Sequence, residues 1–96
     1  MDWKEEIVNS IQAKERVRKL ITNVINESVT ELTKAFNDKT LRYDIRVVDS
    51  NVLRVAGNST VKLTADWISE ETRIPMEELT EEDIKNKIHE EILNVI

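Results

Sequence analysis

The apolar positions of this chain change period twice. Up to residue 36 they recur at intervals of three and four, first Trp3, Ile7 and Ile11, then, after a lapse into Lys14-Glu15-Arg16 where the helix bends or leaves its globule, Val17, Leu20, Ile21, Val24, Ile25, Val29, Leu32 and Phe36. That spacing lays them along one face of a helix. From Leu41 to Ala65 the rhythm is strict alternation: Leu41, Tyr43, Ile45 and Val47, then Leu53 and Val55, then Val61, Leu63 and Ala65. A period of two predicts three strands with one apolar face. Helical spacing returns at Ile84, Ile88, Ile92 and Val95 or Ile96, with Leu93 beside the stripe. The expected fold is therefore α+β: a long N-terminal helix, a three-stranded antiparallel β-meander, and C-terminal helices packed on one face of the sheet. Residues 1–96 form a single α-β-β-β-α domain in this reading.

Strand register follows from the rule that residues facing each other across a sheet share a face. A three-residue loop Asp49-Ser50-Asn51 pairs Val47 with Leu53 and Ile45 with Val55, all four inward. Asn51 suits the left-handed position of such a loop. A three-residue loop Gly57-Asn58-Ser59 pairs Val55 with Val61 and Leu53 with Leu63. The opposite face then carries Arg42, Arg46, Arg54 and Lys62 with Asp44, Val48, Val52, Thr60 and Thr64.

The first helix has Asp2 and Glu5 at the spacing of a capping box, and no Gly or Pro interrupts it before Asp38. Unbroken, it would be about 54 Å long, against a radius of gyration of roughly 12 Å for a compact domain of this size. Either it breaks near Asn9 and Ser10, or its free part packs on a second copy. The second arrangement makes Trp3, Ile7, Ile11 and Val17 the dimerisation residues, since a bare apolar stripe is otherwise costly.

After Leu63 a two-turn helix is expected over Asp66–Thr72, stopped by Ile74-Pro75, with Pro75 opening a turn over Met76–Leu79. Thr80 and Asp83 make a second capping box for the last helix. Residues 66–79 faintly resemble a helix-turn-helix, but carboxylates stand where a DNA reader needs Lys and Arg.

Charge alters this picture more than length does. The net charge is −5, yet residues 1–38 contribute −1, residues 39–64 contribute +3 and residues 65–96 contribute −7. The sheet is a basic island in an acidic protein. The acidic segments neutralise it from within the chain or a dimer partner, or Arg42, Arg46, Arg54, Lys62 and Trp67 form a surface for a partner or nucleic acid. Cysteine is absent, which excludes disulfides and thiolate metal sites and suits a reducing, cytoplasmic setting. No apolar run reaches membrane-spanning length and no signal-like segment opens the chain. The sequons at Asn26 and Asn58 are then coincidental.

Candidate chemistry is sparse. His89 is the only histidine, and no Ser, Cys or second His is evidently placed to work with it. The pairs Glu70-Glu71, Glu77-Glu78 and Glu90-Glu91 diverge on a helix and lack EF-hand spacing. With one glycine, Gly57, there is no phosphate-cradling loop. No cofactor, metal or small-molecule substrate is expected.

In element order the chain resembles the nucleoid-associated family typified by YbaB, small bacterial dimers that bind DNA, and the first half of type III secretion chaperones, small acidic dimers. The resemblance covers topology and no residue motif, so it assigns no site. The expectation is a small acidic, non-enzymatic interaction or regulatory protein, a homodimer that binds another protein. The alternative is nucleic-acid binding across the basic face of the sheet.

Overall fold

The computed structural model describes residues 2–49 and 51–96. Helix α1 runs unbroken over Trp3–Asp38, so the break considered near Asn9 and Ser10 does not occur. Asp2 caps it by accepting from the Lys4 N–H at 3.0 Å. This is half of the expected box, since Glu5 offers Asp2 its backbone N–H rather than its side chain reaching back. A helix of 36 residues is about 54 Å long, close to the 57 Å long dimension of the molecule. It therefore spans the protein end to end.

The far end of α1 closes with two bonds, Thr40 N–H to the Asn37 carbonyl at 3.1 Å and Leu41 N–H to the Phe36 carbonyl at 2.8 Å. That is a Schellman motif, and its left-handed residue is Thr40, with φ 54°. A β-branched side chain is strained there.

The sheet follows, in the order β1 (Ile45–Asp49), β2 (Val52–Val55), β3 (Asn58–Ser59), all antiparallel. Ile45 pairs with Val55 and Val47 with Leu53, as the alternation requires, and a bulge at Val48 brings Asp49 opposite Val52. Asn51 takes φ 67°; Ser50 of the expected loop lies outside the described residues. Ile45, Leu53 and Val55 are buried, but Val47 is not. It lies on the edge strand, next to the bulge at Val48.

The second hairpin departs from expectation. Its turn is Ala56-Gly57, both residues at positive φ, a primed geometry whose twist matches that of the strands. Val55 therefore pairs with Asn58 and Arg54 with Ser59, three positions away from the expected register. Thr60 then falls opposite Leu53: its N–H donates to the Leu53 carbonyl at 2.8 Å, and its hydroxyl accepts from the Leu53 N–H at 3.2 Å. Thr60 is buried by this pairing rather than exposed, and Val61 is exposed rather than buried. Leu63 still reaches the core, its N–H bonded to the Asn51 carbonyl at 3.1 Å.

Helix α2 (Ala65–Thr72) is capped by the Thr64 hydroxyl and ends at Arg73, whose left-handed φ of 58° stops it before Pro75 is reached. A 3-10 turn (Met76–Glu78) follows Pro75, and α3 (Glu81–Val95) starts with the full Thr80–Asp83 box. The core joins Val17, Ile21, Val24 and Ile25 of α1 to Ile45, Leu53, Val55 and Leu63, to Ala65, Ile68 and Leu79, and to Ile84, Ile88 and Ile92 of α3. This body first grips α1 at Lys14, which pairs with Asp66 at 2.8 Å, and at Arg16, which donates to the Met76 carbonyl at 3.1 Å. Residues 2–12 stand clear of it, exposed throughout.

Candidate functional site

Two surfaces stand out, one at each end of α1. The first is the projecting arm, its first three turns. Trp3 and Ile21 are 18 residues apart, as are Ile7 and Ile25, and Ile11 and Val29. Eighteen residues are five full turns of an α-helix, so each arm residue stands on the same azimuth as a residue packed in the body. The apolar seam continues past the place where its cover ends. Trp3 is 64% exposed, and Ile7, Val8 and Ile11 are each about half exposed. Lys4 lies over the Trp3 ring, 5.7 Å from its centroid.

Val17 does not belong with the arm. It lies past the lapse at Lys14-Glu15-Arg16 and is fully buried in its own core. Val8 is the arm residue that the stripe of fours passed over.

The second surface is a cleft of about 420 Å³ between the C-terminal halves of α1 and α3, with Val55 of β2 in its wall. Leu32, Ala35 and Phe36 line it from α1, and Ile92, Leu93 and Ile96 from the end of the chain. Leu93 and Ile96 are largely exposed at its mouth. The polar lining is Ser28, Glu31 and His89. Ser28 is buried, and its Oγ lies 3.3 Å from Nε2 of the exposed His89. A serine thus stands beside this histidine, where the sequence placed no Ser to work with it. The pair is 61 residues apart in sequence, and neither local pattern hints at the meeting.

The basic residues are divided by the structure. Arg46 and Arg54 face each other directly across β1 and β2, both exposed. Like charges so placed repel. Arg46 has Asp44 within 3.8 Å. Arg42 lies in the segment before β1, and Lys62 lies past β3. Lys62 joins Lys14, Arg18, Asn51 and Asp66 around a different cleft of about 380 Å³. Lys62 is not on a strand of the sheet, because the second hairpin ends at Ser59. Trp67 is no exposed anchor either. It packs against the core, with Lys87 over its ring at 5.5 Å, and Lys87 is also drawn to Glu90 at 3.4 Å and to Glu71 at 3.9 Å.

Among the described residues, no group of His, Cys, Asp and Glu is arranged to hold a metal ion, and no helix is long and apolar enough to cross a membrane. No family model, curated protein or solved structure matches the chain.

Proposed function

We propose that the protein is a small, non-enzymatic interaction protein of the cytoplasm that self-associates through the arm of α1 and binds another protein in that assembled form. One observation carries this reading: the apolar seam of α1 runs on for three turns beyond its cover. Helical segments of that length are marginal in water without a packed face, and contiguous exposed apolar surface marks an interaction site. A homodimer is the smallest assembly that covers it. The lack of cysteine supports the reducing compartment.

The Ser28–His89 contact supports a structural role over a catalytic one. Ser28 sits in the middle of α1, where backbone N–H groups are committed to the helix and none is available to hold an oxyanion. The hydrogen bond instead gives a buried hydroxyl its partner and ties α1 to α3.

Arg46 opposite Arg54 favours a second reading, an anionic partner such as nucleic acid that relieves the repulsion. Binding that falls steeply with salt and disappears in the Arg42→Ala, Arg46→Ala, Arg54→Ala variant would support it.

Molar mass from light scattering over a concentration series tests the first reading. The full chain is expected to exceed a monomer's mass, and the Trp3→Gln, Ile7→Gln, Ile11→Gln variant to return to it with its helix content kept. A monomer at all concentrations would overturn the proposal.

A further inference from the structure

The arm and the cleft are complementary in size, polarity and charge. A cavity of about 150 Å³ accommodates a benzene ring, so 420 Å³ holds two or three large side chains, the number the arm offers on one face. At about 100° per residue, Trp3, Ile7, Ile11 and Val8 span an arc of about 140°, and Lys4 falls inside it. Asp2, Glu5 and Glu6 fall outside. The apolar face of the arm thus carries a single positive charge. The cleft is apolar apart from Ser28 and His89, and Glu31 is the one carboxylate in its lining.

We propose that the arm of one copy seats in the cleft of another, with Trp3, Ile7 and Ile11 against Phe36, Ile92, Leu93 and Ile96, and Lys4 against Glu31. This rests on the self-association reading above and identifies the surface that receives the arm. The two surfaces lie at opposite ends of α1. The middle of the arm is about 25 residues from the middle of the α1 stretch lining the cleft, or roughly 37 Å. Donor and acceptor are therefore different patches, and two copies with their α1 helices antiparallel bring arm to cleft at both ends, a two-fold pair that makes the contact twice. Three apolar side chains make a contact smaller than the roughly 800 Å² per partner of a standard stable interface. Assembly accordingly depends on concentration.

Two variants test the pairing. One has the arm changed, Trp3→Gln, Ile7→Gln and Ile11→Gln; the other has the cleft mouth changed, Leu93→Asn and Ile96→Asn. All five positions are at least half exposed, so both chains keep their core, which circular dichroism checks. Each variant alone is expected to associate on the order of a hundredfold more weakly than the parent chain. Mixed in equal amounts they retain one intact arm and one intact cleft. The mixture is expected to form a one-to-one pair held by that single contact, weaker than the parent's dimer, which is held by two. A mixture that stays monomeric overturns the pairing. So does a cleft variant that associates as the parent does, although that result, in which arm meets arm, leaves self-association standing. A parent chain that is monomeric throughout overturns both.

Discussion

Ile7 and Ile25 occupy the same azimuth of one helix, five turns apart, so replacing each with alanine separates the helix's own preferences from its cover. Ile25 is 2% exposed and packs in the core formed by α1, the sheet and α3. Truncating a buried isoleucine removes its transfer free energy and leaves a cavity, a loss of about 2–5 kcal/mol. Taking about 3 kcal/mol, and a shift of roughly 4–8 °C per kcal/mol for a domain of up to 100 residues, Ile25→Ala should lower Tm by about 12–24 °C. Ile7 in the separate chain has about half its surface in water and no body beneath it. Alanine is the better helix former by a few tenths of a kcal/mol. Ile7→Ala should therefore leave the Tm of a dilute sample within about 3 °C of the parent. In concentrated samples it should lower Tm, because binding to the native state adds stability by mass action. Thermal unfolding followed by circular dichroism at two concentrations, about a hundredfold apart, reads both effects. A dilute Ile7→Ala chain destabilised by more than about 1.5 kcal/mol would refute the reasoning, since the arm would then be packed on its own body.

Three further expectations concern the fold. Thr40→Gly should raise stability by up to about 1 kcal/mol in thermal or urea unfolding, because Thr40 holds φ 54° at the end of α1 and glycine adopts that region without strain. Thr60→Val should lower stability by about 1–3 kcal/mol in the same assay: the Thr60 hydroxyl accepts from the Leu53 N–H, and the isosteric change leaves that buried donor without a partner. Asp83 accepts from the Thr80 N–H at 3.0 Å and the Thr80 hydroxyl at 2.8 Å, which lowers its pKa below the ordinary aspartate value. A lowered carboxylate pKa contributes stability that is fully present above the unfolded value near 3.9 and is lost as pH falls through the folded value. The difference in Tm between the parent and Asp83→Asn should hold steady above about pH 5 and narrow below pH 4.

The residues that announced themselves in the sequence were those whose environment is set locally. Ile45, Val47, Leu53 and Val55 gave the first hairpin its register because alternation and the turn at Asn51 agree. The second hairpin departs from the expected Gly57-Asn58-Ser59 loop because Ala56, an L-residue with a Cβ, takes positive φ beside Gly57 and starts the turn one residue early. The strand then stops at Ser59, and the hydroxyl of Thr60 serves the ladder in place of a further strand residue. The arm was legible as a stripe, and its limit as the lapse of that stripe into Lys14-Glu15-Arg16. The tertiary contacts of Lys14 and Arg16 fall at that lapse, and Val17, beyond it, belongs to the body. The cleft was not legible at all, since Ser28, Val55 and His89 are brought together by packing across the whole chain.

Trp3 itself offers the most direct test that a second copy covers the arm. The chain has two tryptophans, so Trp67→Phe leaves Trp3 as the sole indole reporter, on a core edge that tolerates an aromatic exchange. With the arm covered, Trp3 emission should lie to the blue in concentrated protein and move to the red on dilution, tracking the fall in molar mass. Emission fixed at the wavelength of a water-exposed indole at every concentration would contradict the account.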